Sequence, residues 1–597
     1  MKKTKFNKLI AIGCLLTGVG LTACEDWLTI YPNSQIVEEN FWEDKNDLQS
    51  VRYSAYRNMV SGSSLERYFY WGEIRADYYK AHPVNFSQTV TDLLKADLDP
   101  KNGNYTSWEI FYNTINFCNK VLEHGEDIKA KDASFTDTEW LPIQAEMYAL
   151  RALNYFYLIR AFGDVPYVTR SINDDTQVTN HPAMSQTAIL DDCLLQMENT
   201  VGNAVYNYGK WTDNKAFMTK NAIYALMADM YLWRASVEQG RGETEKALAD
   251  YARCNECCKT VIDKVREQTE EYNKEDGFSG TSINGSPGTS TNEEDPYSFL
   301  IQNSTSRMSF SSTTSGAYNR IFGSGNSTES IFELQCLAGS NPNTLSKTFL
   351  YGGDALLQAA NKFVSPSTDP DDEANLYAKT DMRKLETADC SSDNKNLYFI
   401  RKWACTSITH SDADIKDNTT KDDAEFEADA DKGNSSNWIV YRVTDIMLMK
   451  AEALNQMGLE NKDEVFALVE AVYKRSNPYP YSKNEKNSML NAGKYSSQES
   501  LEKLVLRERQ RELVAEGKRW FDLVRFALRR ATVDDTTPTE FLTVLTRGME
   551  SETANVLKKK LVSMKALYLP LNETEVKTNT LLTQNPAWNK NQDISKN

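Results

Sequence analysis

Apolar residues recur at three- and four-residue steps along much of the chain, the period of a helix with one buried face. Trp108, Phe111, Ile115, Cys118 and Leu122 form one stripe, which Gly125 is expected to close. Ala145, Ala149, Ala152, Phe156 and Ile159 form a second, stopped by Gly163 and Pro166, as a C′ glycine and a following proline stop a helix. Ile223, Leu226, Met230 and Trp233 form a third. It runs through a turn containing Gly240 and Gly242 into a helix whose face is Leu248, Tyr251, Cys254, Cys258 and Val261. Ala222, Ala225 and Ala228 are small enough to let paired helices approach closely, and a similar pair is predicted over Asp445–Gln456 and Lys462–Arg475. Paired helices with a small-residue seam are the unit of tetratricopeptide-like arrays.

Between these helices the texture changes. Residues 268–437 are rich in Ser, Thr, Gly, Asn and Asp, with short runs at Ile331–Leu334 and Tyr398–Ile400 that read as strands. Ser411–Asn434 carries nine acids, from Asp412 to Asp431. The calcium-loop spacing, with its central Gly and final Glu, is absent there, so a solvated acidic loop is the better reading. A structureless loop of this total length is abnormal in a compact domain. The middle is therefore expected to be a loop-rich subdomain carrying function on a rigid scaffold.

The first residues read as an address. Lys2, Lys3, Lys5 and Lys8 precede an apolar run from Leu9 to Ala23, too short for a spanning helix but suited to a secretory signal. The run ends Leu21-Thr22-Ala23-Cys24. Plain secretion would need only the small residue; the Cys that follows resembles the lipobox of a bacterial lipoprotein, with Cys24 as the acylated residue. Several acyl chains would anchor it firmly. Losing residues 1–23 removes four lysines and no acids, taking the formal charge of the 597-residue chain from −17 to −21.

That balance argues against nucleic acid as a partner, which requires a basic footprint. With 30 Tyr, 23 Phe and 11 Trp, general disorder is excluded. Cys254, Cys257 and Cys258 contain one CxxC, but they sit on an apolar helical face, and the four histidines are far apart in sequence. Buried thiols are the expectation there, with no metal and no cofactor called for, while a disulfide elsewhere stays open. The most enzyme-like stretch is Glu502–Arg530. Its carboxylates pair at i,i+3 with arginines (Glu508 with Arg511, Glu516 with Arg519, Arg519 with Asp522, Asp522 with Arg525). A ladder of ion pairs along one helix face accounts for them without chemistry. Nucleotide-binding, serine-hydrolase and metalloprotease motifs are missing. The residues describe a binding protein rather than an enzyme.

The charged segment reads ERQRELVAEGKRWFDLVRF, Glu508 to Phe526, and resembles the signature helix of the RagB/SusD family of outer-membrane nutrient-binding lipoproteins. Further blocks agree in the family's order: CEDWLTIYPNSQIVEENFW at Cys24–Trp42, WEIFYNTINFCNKVLE at Trp108–Glu123, AEMYALRALNYFYLIRAFGDVPYV at Ala145–Val168, NWIVYRVTDIMLMKAEALNQMG at Asn437–Gly458 and ALYLPLNETEVKTNTLLTQNPAW at Ala566–Trp588. Phe526 stands where a Trp is frequent, and Leu571 or Asn572 where a second proline is common. The resemblance implies a mainly α fold, a tetratricopeptide-like helical superhelix with an inserted loop-rich, mixed ligand-binding subdomain. On this reading residues 1–23 are the signal peptide, 24–40 a lipidated tether, 41–267 the N-terminal helical part, 268–437 the insertion and 438–597 the C-terminal helical part with its closing segment. It also implies a surface-exposed, non-catalytic lipoprotein of the outer membrane that captures an oligosaccharide for a SusC-like TonB-dependent transporter. Capture of a peptide is the alternative, and a surface glycoside hydrolase a more remote one.

Sugars present apolar C–H faces and many hydroxyls, so a site for them combines aromatic platforms with polar edges. YFYWGEIRADYY, Tyr68–Tyr79, is the densest aromatic run. Asp77, Tyr78 and Tyr79 are the first candidates, because binding loops of resembling proteins follow this point. Trp71 is a weaker one, since Phe69, Tyr70 and Trp71 also suit a helical core face. The middle adds Tyr318 with Arg320, Phe349 with Tyr351, and Trp403 beside Arg401 and Lys402.

Overall fold

Asp44 opens the first helix: its carboxylate accepts the backbone N–H of Asn46 and Asp47, and the Asp47 side chain accepts that of Asp44. Two groups left orphaned at a helix start are thereby satisfied. The computed structural model describes residues 41–173, 180–275, 296–301, 317–323, 325–337, 339–360, 362, 369, 375–378, 380–390, 398–409, 425–428, 435–477 and 489–589. The leader, Cys24 and the tether lie outside these residues, as does the acidic stretch apart from 425–428.

Helix α1 (Lys45–Met59) is followed by α2 (Gly62–Phe69), strand β1 (Tyr79–Ala81) and α3 (Gln88–Leu94). The long helices α4 (Glu109–Lys131), α5 (Asp137–Phe162), α6 (Gln186–Thr200), α7 (Lys220–Gly240) and α8 (Thr244–Glu275) come next. The middle supplies β2 (Ser330–Leu334), β3 (Leu357–Ala359), β4 (Ala388–Cys390), β5 (Tyr398–Ile400), β6 (Cys405–Thr409), β7 (Glu425–Ala428) and β8 (Trp438–Arg442). The chain returns through α9 (Val443–Met457), α10 (Lys462–Ser476), α11 (Gln498–Glu512) and α12 (Arg519–Leu528), then α13 (Thr539–Thr546) and α14 (Ser551–Lys560).

Helices α1, α4, α5 and α6 pack in succession, as do α7, α8, α9 and α10. The α8–α9 contact joins the two ends of the chain into one helical array, and α12 packs back on α7. Ala222, Ala225 and Ala228 are fully buried on the α7 seam. Strands pair antiparallel in twos, β1 with β3, β2 with β8, β4 with β5 and β6 with β7. The β2–β8 pair lies where the middle rejoins the helices, and both strands are buried along their whole length.

Two helical expectations are corrected. Gly125 does not end α4: a Cβ there would lie 2.0 Å from the Trp140 ring. The glycine makes room for that indole, whose Nε1 donates to Glu126 at 2.6 Å, and the helix runs on to Lys131. Leu248 is 41 % exposed, and Ala247 takes its place on the buried face of α8. Cys254 and Cys258 are buried as read, their sulfurs 4.0 Å apart, and burial raises the Cys254 thiol.

The charged segment departs most from its sequence reading. It is not one helix with a ladder on its face. Helix α11 ends at Glu512, and Ala515 and Gly517 adopt positive φ values of 63° and 71° before α12 begins. The break turns the charges inward. Glu508–Arg511 and Asp522–Arg525 do pair at i,i+3, but Glu516 binds Lys402 and Arg442 at 2.5 and 2.8 Å, and Arg519 binds Asp77 at 3.0 Å. Glu512 accepts from Arg383 at 2.9 Å, from Arg442 at 2.6 Å and from Arg475. Those three guanidinium groups hold its carboxyl well below the usual range against the opposing effect of burial. On the α9 side Arg509 joins Asp445 to Asp522, and Arg525 and Arg529 share Glu452. Buried charges survive only when paired and hydrogen-bonded; here the pairs tie the middle (Arg383, Lys402) to the C-terminal helices.

Candidate functional site

Helix α2 runs into a π-helical turn, Tyr70–Ile74, whose course is set by a close approach. The backbone of Gly72 lies against the carbonyl of Gly517, so that a Cβ on Gly72 would sit 1.9 Å from that oxygen. Glu73 locks the same contact. Its Oε1 accepts the Ala515 N–H at 2.6 Å and the Tyr79 hydroxyl at 3.2 Å, and its Oε2 accepts the Lys518 N–H at 3.2 Å. Burial outweighs these donors and the nearby Lys402 charge, and pushes the Glu73 carboxyl up to about 8.

A carboxyl raised on folding keeps its proton in the native state while the unfolded chain loses it. Stability therefore falls as pH rises from near 4.5 towards 8, and levels off above. Glu73→Gln is expected to flatten that slope. Urea midpoints measured from pH 5 to 8 check this, and equal slopes in both proteins would contradict it.

The candidate aromatics divide by depth. Trp71 is 1 % exposed, stacks on Phe111 at 4.5 Å and donates its Nε1 to the Tyr105 carbonyl. Tyr78 is fully buried and donates to the Gln510 carbonyl at 2.5 Å. Tyr318 donates to the Glu512 carbonyl, and Trp403 stacks on Trp438 and donates to the Ala515 carbonyl. Phe349 is wedged against Phe69 and Tyr70. The expectation of exposed platforms is corrected for Tyr78, Tyr318, Trp403 and Phe349, while Trp71 takes the core place its helical face suited: polar tips end on buried backbone carbonyls or rings fill the core. Tyr351 and Arg320 are half-buried; Tyr351 meets Phe399 edge-on at 6.3 Å, and burial lowers the pKa of Arg320. Asp77 and Tyr79 are almost covered yet line a cavity of about 290 Å³.

That cavity opens beside the β1–β3 pair, with Lys80, Ala81 and Gln358 on its wall and Lys95 and Lys362 further round. Asp77 accepts from Lys362 and Gln510 at 2.6 Å and from Arg519 at 3.0 Å. The two cations hold its carboxyl well below the usual range although burial opposes them. The chain leaves β1 through a loop that exposes apolar surface: Val84 is 81 % and Phe86 73 % exposed. His82 Nδ1 accepts the Asn85 N–H at 2.9 Å, the His82 ring lies parallel to Phe399 at 6.1 Å, and Asn85 Nδ2 donates to the Gly353 and Ala355 carbonyls. Burial lowers the His82 pKa. His82 and Tyr351 thus flank the nearly buried Phe399 ring, Phe86 stands exposed further along the same loop, and the strand that leads into that loop lines the polar cavity with Tyr79, Lys80 and Ala81.

Sequence reasoning missed His82, Phe86, Phe399 and Lys362. A signal for Phe86 existed: the HPVNFS run follows a strand and ends at Ser87, the N-cap of α3, so that Phe86 precedes any helical face it might have joined.

Comparison with known proteins decides the family. The model of the SusD family matches residues 270–588. The chain belongs to the SusD family. A second family model, described as starch-binding associating with outer membrane, matches residues 26–232. A SusD-like protein of Formosa agariphila, P38, is 26% identical over 538 residues, covering 88% of this chain and 92% of that protein. A SusD superfamily structure from Bacteroides vulgatus superposes with a TM-score of 0.62 at 16% identity, covering 92% of this chain and 100% of the other. NanU of B. fragilis superposes at 0.60 and 16% identity, covering 94% and 100%. The SusD fold is thus shared over nearly the whole chain, and the helical array described above is its tetratricopeptide-like part. No helix among the described residues is long and apolar enough to cross a membrane. In this SusD-family chain an exposed ring such as Phe86 can meet a sugar by its apolar face, while the cavity wall offers ammonium, amide and carboxylate groups to hydroxyls.

Proposed function

We propose that the protein is a surface lipoprotein, anchored to the outer membrane through Cys24, that captures an oligosaccharide and passes it to a SusC-like TonB-dependent transporter. The observation that carries this reading is the polar cavity of Asp77, Tyr79 and Lys362, whose wall strand β1 runs on into a loop that exposes Val84 and Phe86 and sets His82 against Phe399. Exposed Phe86 and Val84 together offer an apolar surface that a sugar face fits. The description of the second matching family supports the same ligand class and location. Binding without cleavage is part of the reading, because Asp77 stays ionised between two cations, the wrong state for a general acid. The helical ends serve as frame, and the middle supplies Tyr351, Phe399 and Lys362.

A panel of neutral oligosaccharides and peptides tests this, with binding measured by calorimetry for wild type and Phe86→Ala/Tyr351→Ala. Losing two rings is expected to weaken glycan binding about ten-fold or more, with the thermal midpoint nearly unchanged. Undiminished glycan affinity in the double variant would move the site elsewhere. Binding of peptides alone would replace the ligand class, and release of shortened product would overturn the non-catalytic reading.

A further inference from the structure

The cavity beside β1 and β3 is a pit, buried at one end and open at the other. Ala76, Asp77, Tyr79, Ala360 and Lys362 line its inner end, each less than a tenth exposed. Ala81, Lys95, Gly548 and Glu550 line its outer end and are exposed. Three walls run between the ends: α3 with Thr91 and Leu94, the β1–β3 pair with Tyr79 and Gln358, and the turn into α14 with Met549 and Thr553. Lys80 and Glu550 join the second wall to the third at 3.4 Å on the rim.

The inner end is shut. Lys362 and Asp77 meet there at 2.6 Å, and Gln510 and Arg519 hold the same carboxylate from the far side at 2.6 and 3.0 Å. Beyond the pair lies a separate cavity of about 30 Å³, lined by Gln510 and Arg519, with room for about one or two waters. A buried ion pair held by further donors does not part without leaving a charge uncompensated. A chain molecule entering from the rim therefore stops at Asp77 and Lys362. The pit itself, about 290 Å³, has room for about ten waters at about 30 Å³ each. That suits the end of a saccharide chain and not a long stretch of it.

We propose that the pit takes a glycan by one chain end: the terminal residue enters, and the rest of the chain trails out over the rim past Ala81 and Glu550. This rests on the glycan-capture reading above and narrows its ligand class to oligosaccharides with a free end. A cleft open at both ends would accept an internal stretch of polysaccharide; a blind one excludes it, because the residues linked on either side have only one exit. The Tyr79 ring and the methyls of Ala76 and Ala360 give the terminal residue apolar contact. The Lys362 ammonium carries three N–H groups, one of them bonded to Asp77, and can donate to its hydroxyls.

The test repeats the panel of neutral oligosaccharides by calorimetry on the full chain, each sugar from disaccharide to octasaccharide and in three forms. These are the free sugar, the alditol made by reducing one end, and the sugar blocked at its non-reducing terminal residue by a benzylidene acetal. For a hexasaccharide, one modified form is expected to bind about ten-fold or more weaker than the free sugar, and the other within about two-fold of it. Affinity is expected to level off beyond the trisaccharide. Ala360→Leu, which fills the closed end, is expected to lower affinity about ten-fold or more, and its thermal midpoint separates that loss from misfolding. If that variant does not fold, the end-blocked sugars on wild type decide alone. Both modified hexasaccharides binding as tightly as the free sugar, equal losses from both, or affinity climbing through the octasaccharide would overturn end capture and leave glycan capture standing. Wild-type affinity in folded Ala360→Leu would do the same. Failure to bind any glycan would overturn both readings.

Discussion

Gly72→Ala is expected to prevent native folding. The new methyl carbon would stand 1.9 Å from the Gly517 oxygen, 2.6 Å from its carbonyl carbon and 3.0 Å from the Phe521 ring. A flexible side chain can step aside, but here the obstacle is backbone. Gly517 has little freedom to retreat, since it is held at positive φ between Trp438 and the Tyr68 carbonyl. Ordinary overpacking costs about 1–3 kcal/mol; a clash with immovable backbone belongs to the rare class above about 4 kcal/mol. The consequence extends to function, because Gly72 and Glu73 seat the segment that carries Asp77 and Tyr79. Soluble yield, far-ultraviolet circular dichroism and a thermal melt of the variant decide the matter. A folded Gly72→Ala protein melting within a few degrees of wild type would refute the close approach.

Glu512→Ala is the second large effect. Three guanidinium groups, Arg383, Arg442 and Arg475, converge on this one carboxylate, and all four side chains are essentially inaccessible. Removing the carboxylate leaves buried cations facing one another. Breaking a buried pair from one side costs about 3–5 kcal/mol, and neighbouring Glu508, Glu516 and Glu329 recover only part of that through Arg383, Arg442 and Arg475 respectively. With about 2.1 cal/mol/K of unfolding entropy per residue, a chain of this size shifts by about 1 °C per kcal/mol, so a fall in melting temperature of roughly 3–5 °C follows. Because Arg383 belongs to the middle of the chain and Glu512 to α11, loosening is expected first between those parts, and hydrogen exchange should report it at 376–390 before the helices α4 and α5. Glu512→Gln keeps the shape but not the charge, so it should fall in the same direction. A Glu512→Ala midpoint equal to wild type would show that the arginines tolerate one another without it.

The aromatic candidates show where reading a sequence stops. Tyr78 and Tyr79 are neighbours of identical chemistry, and nothing in the run YFYWGEIRADYY separates them. One hydroxyl ends on the Gln510 carbonyl in the core; the other reaches Glu73 while its ring borders the cavity. The difference arises from residues more than 400 positions away. Trp403 and Tyr318 likewise find their acceptors at Ala515 and Glu512, groups that no local pattern pairs with them. Phe86 was the reverse case, a local signal in a short loop that the denser aromatic run overshadowed.

The charged segment makes the same point from the other side. Its i,i+3 spacing is real, and two of the four expected pairs form. Glu516–Arg519 fails because Ala515 and Gly517 take positive φ and break the helix there; Arg519–Asp522 fails within α12 because Arg519 turns to Asp77 while Asp522 binds Arg509 and Arg525. A glycine in AEG announces a possible break; an alanine does not, since its left-handed conformation is imposed by the surrounding packing rather than preferred by the residue.

By itself the sequence determined the buried stripes of α4, α5, α7, α8, α9 and α10 and their order, the glycine and proline stop after α5, the buried thiol face of α8 and the strand runs at 331–334 and 398–400. Each depends on periodicity or turn chemistry within a few residues, which a local pattern records. The tertiary structure alone decided which rings are core and which stay exposed, and that the acids and arginines after Glu508 form a buried knot rather than a surface ladder. It also decided that Asp77 and Lys362, far apart in sequence, meet as a buried ion pair on a cavity wall. Burial and charge pairing depend on which distant segments meet, and the free energy of a buried polar tip or ion is set by that meeting.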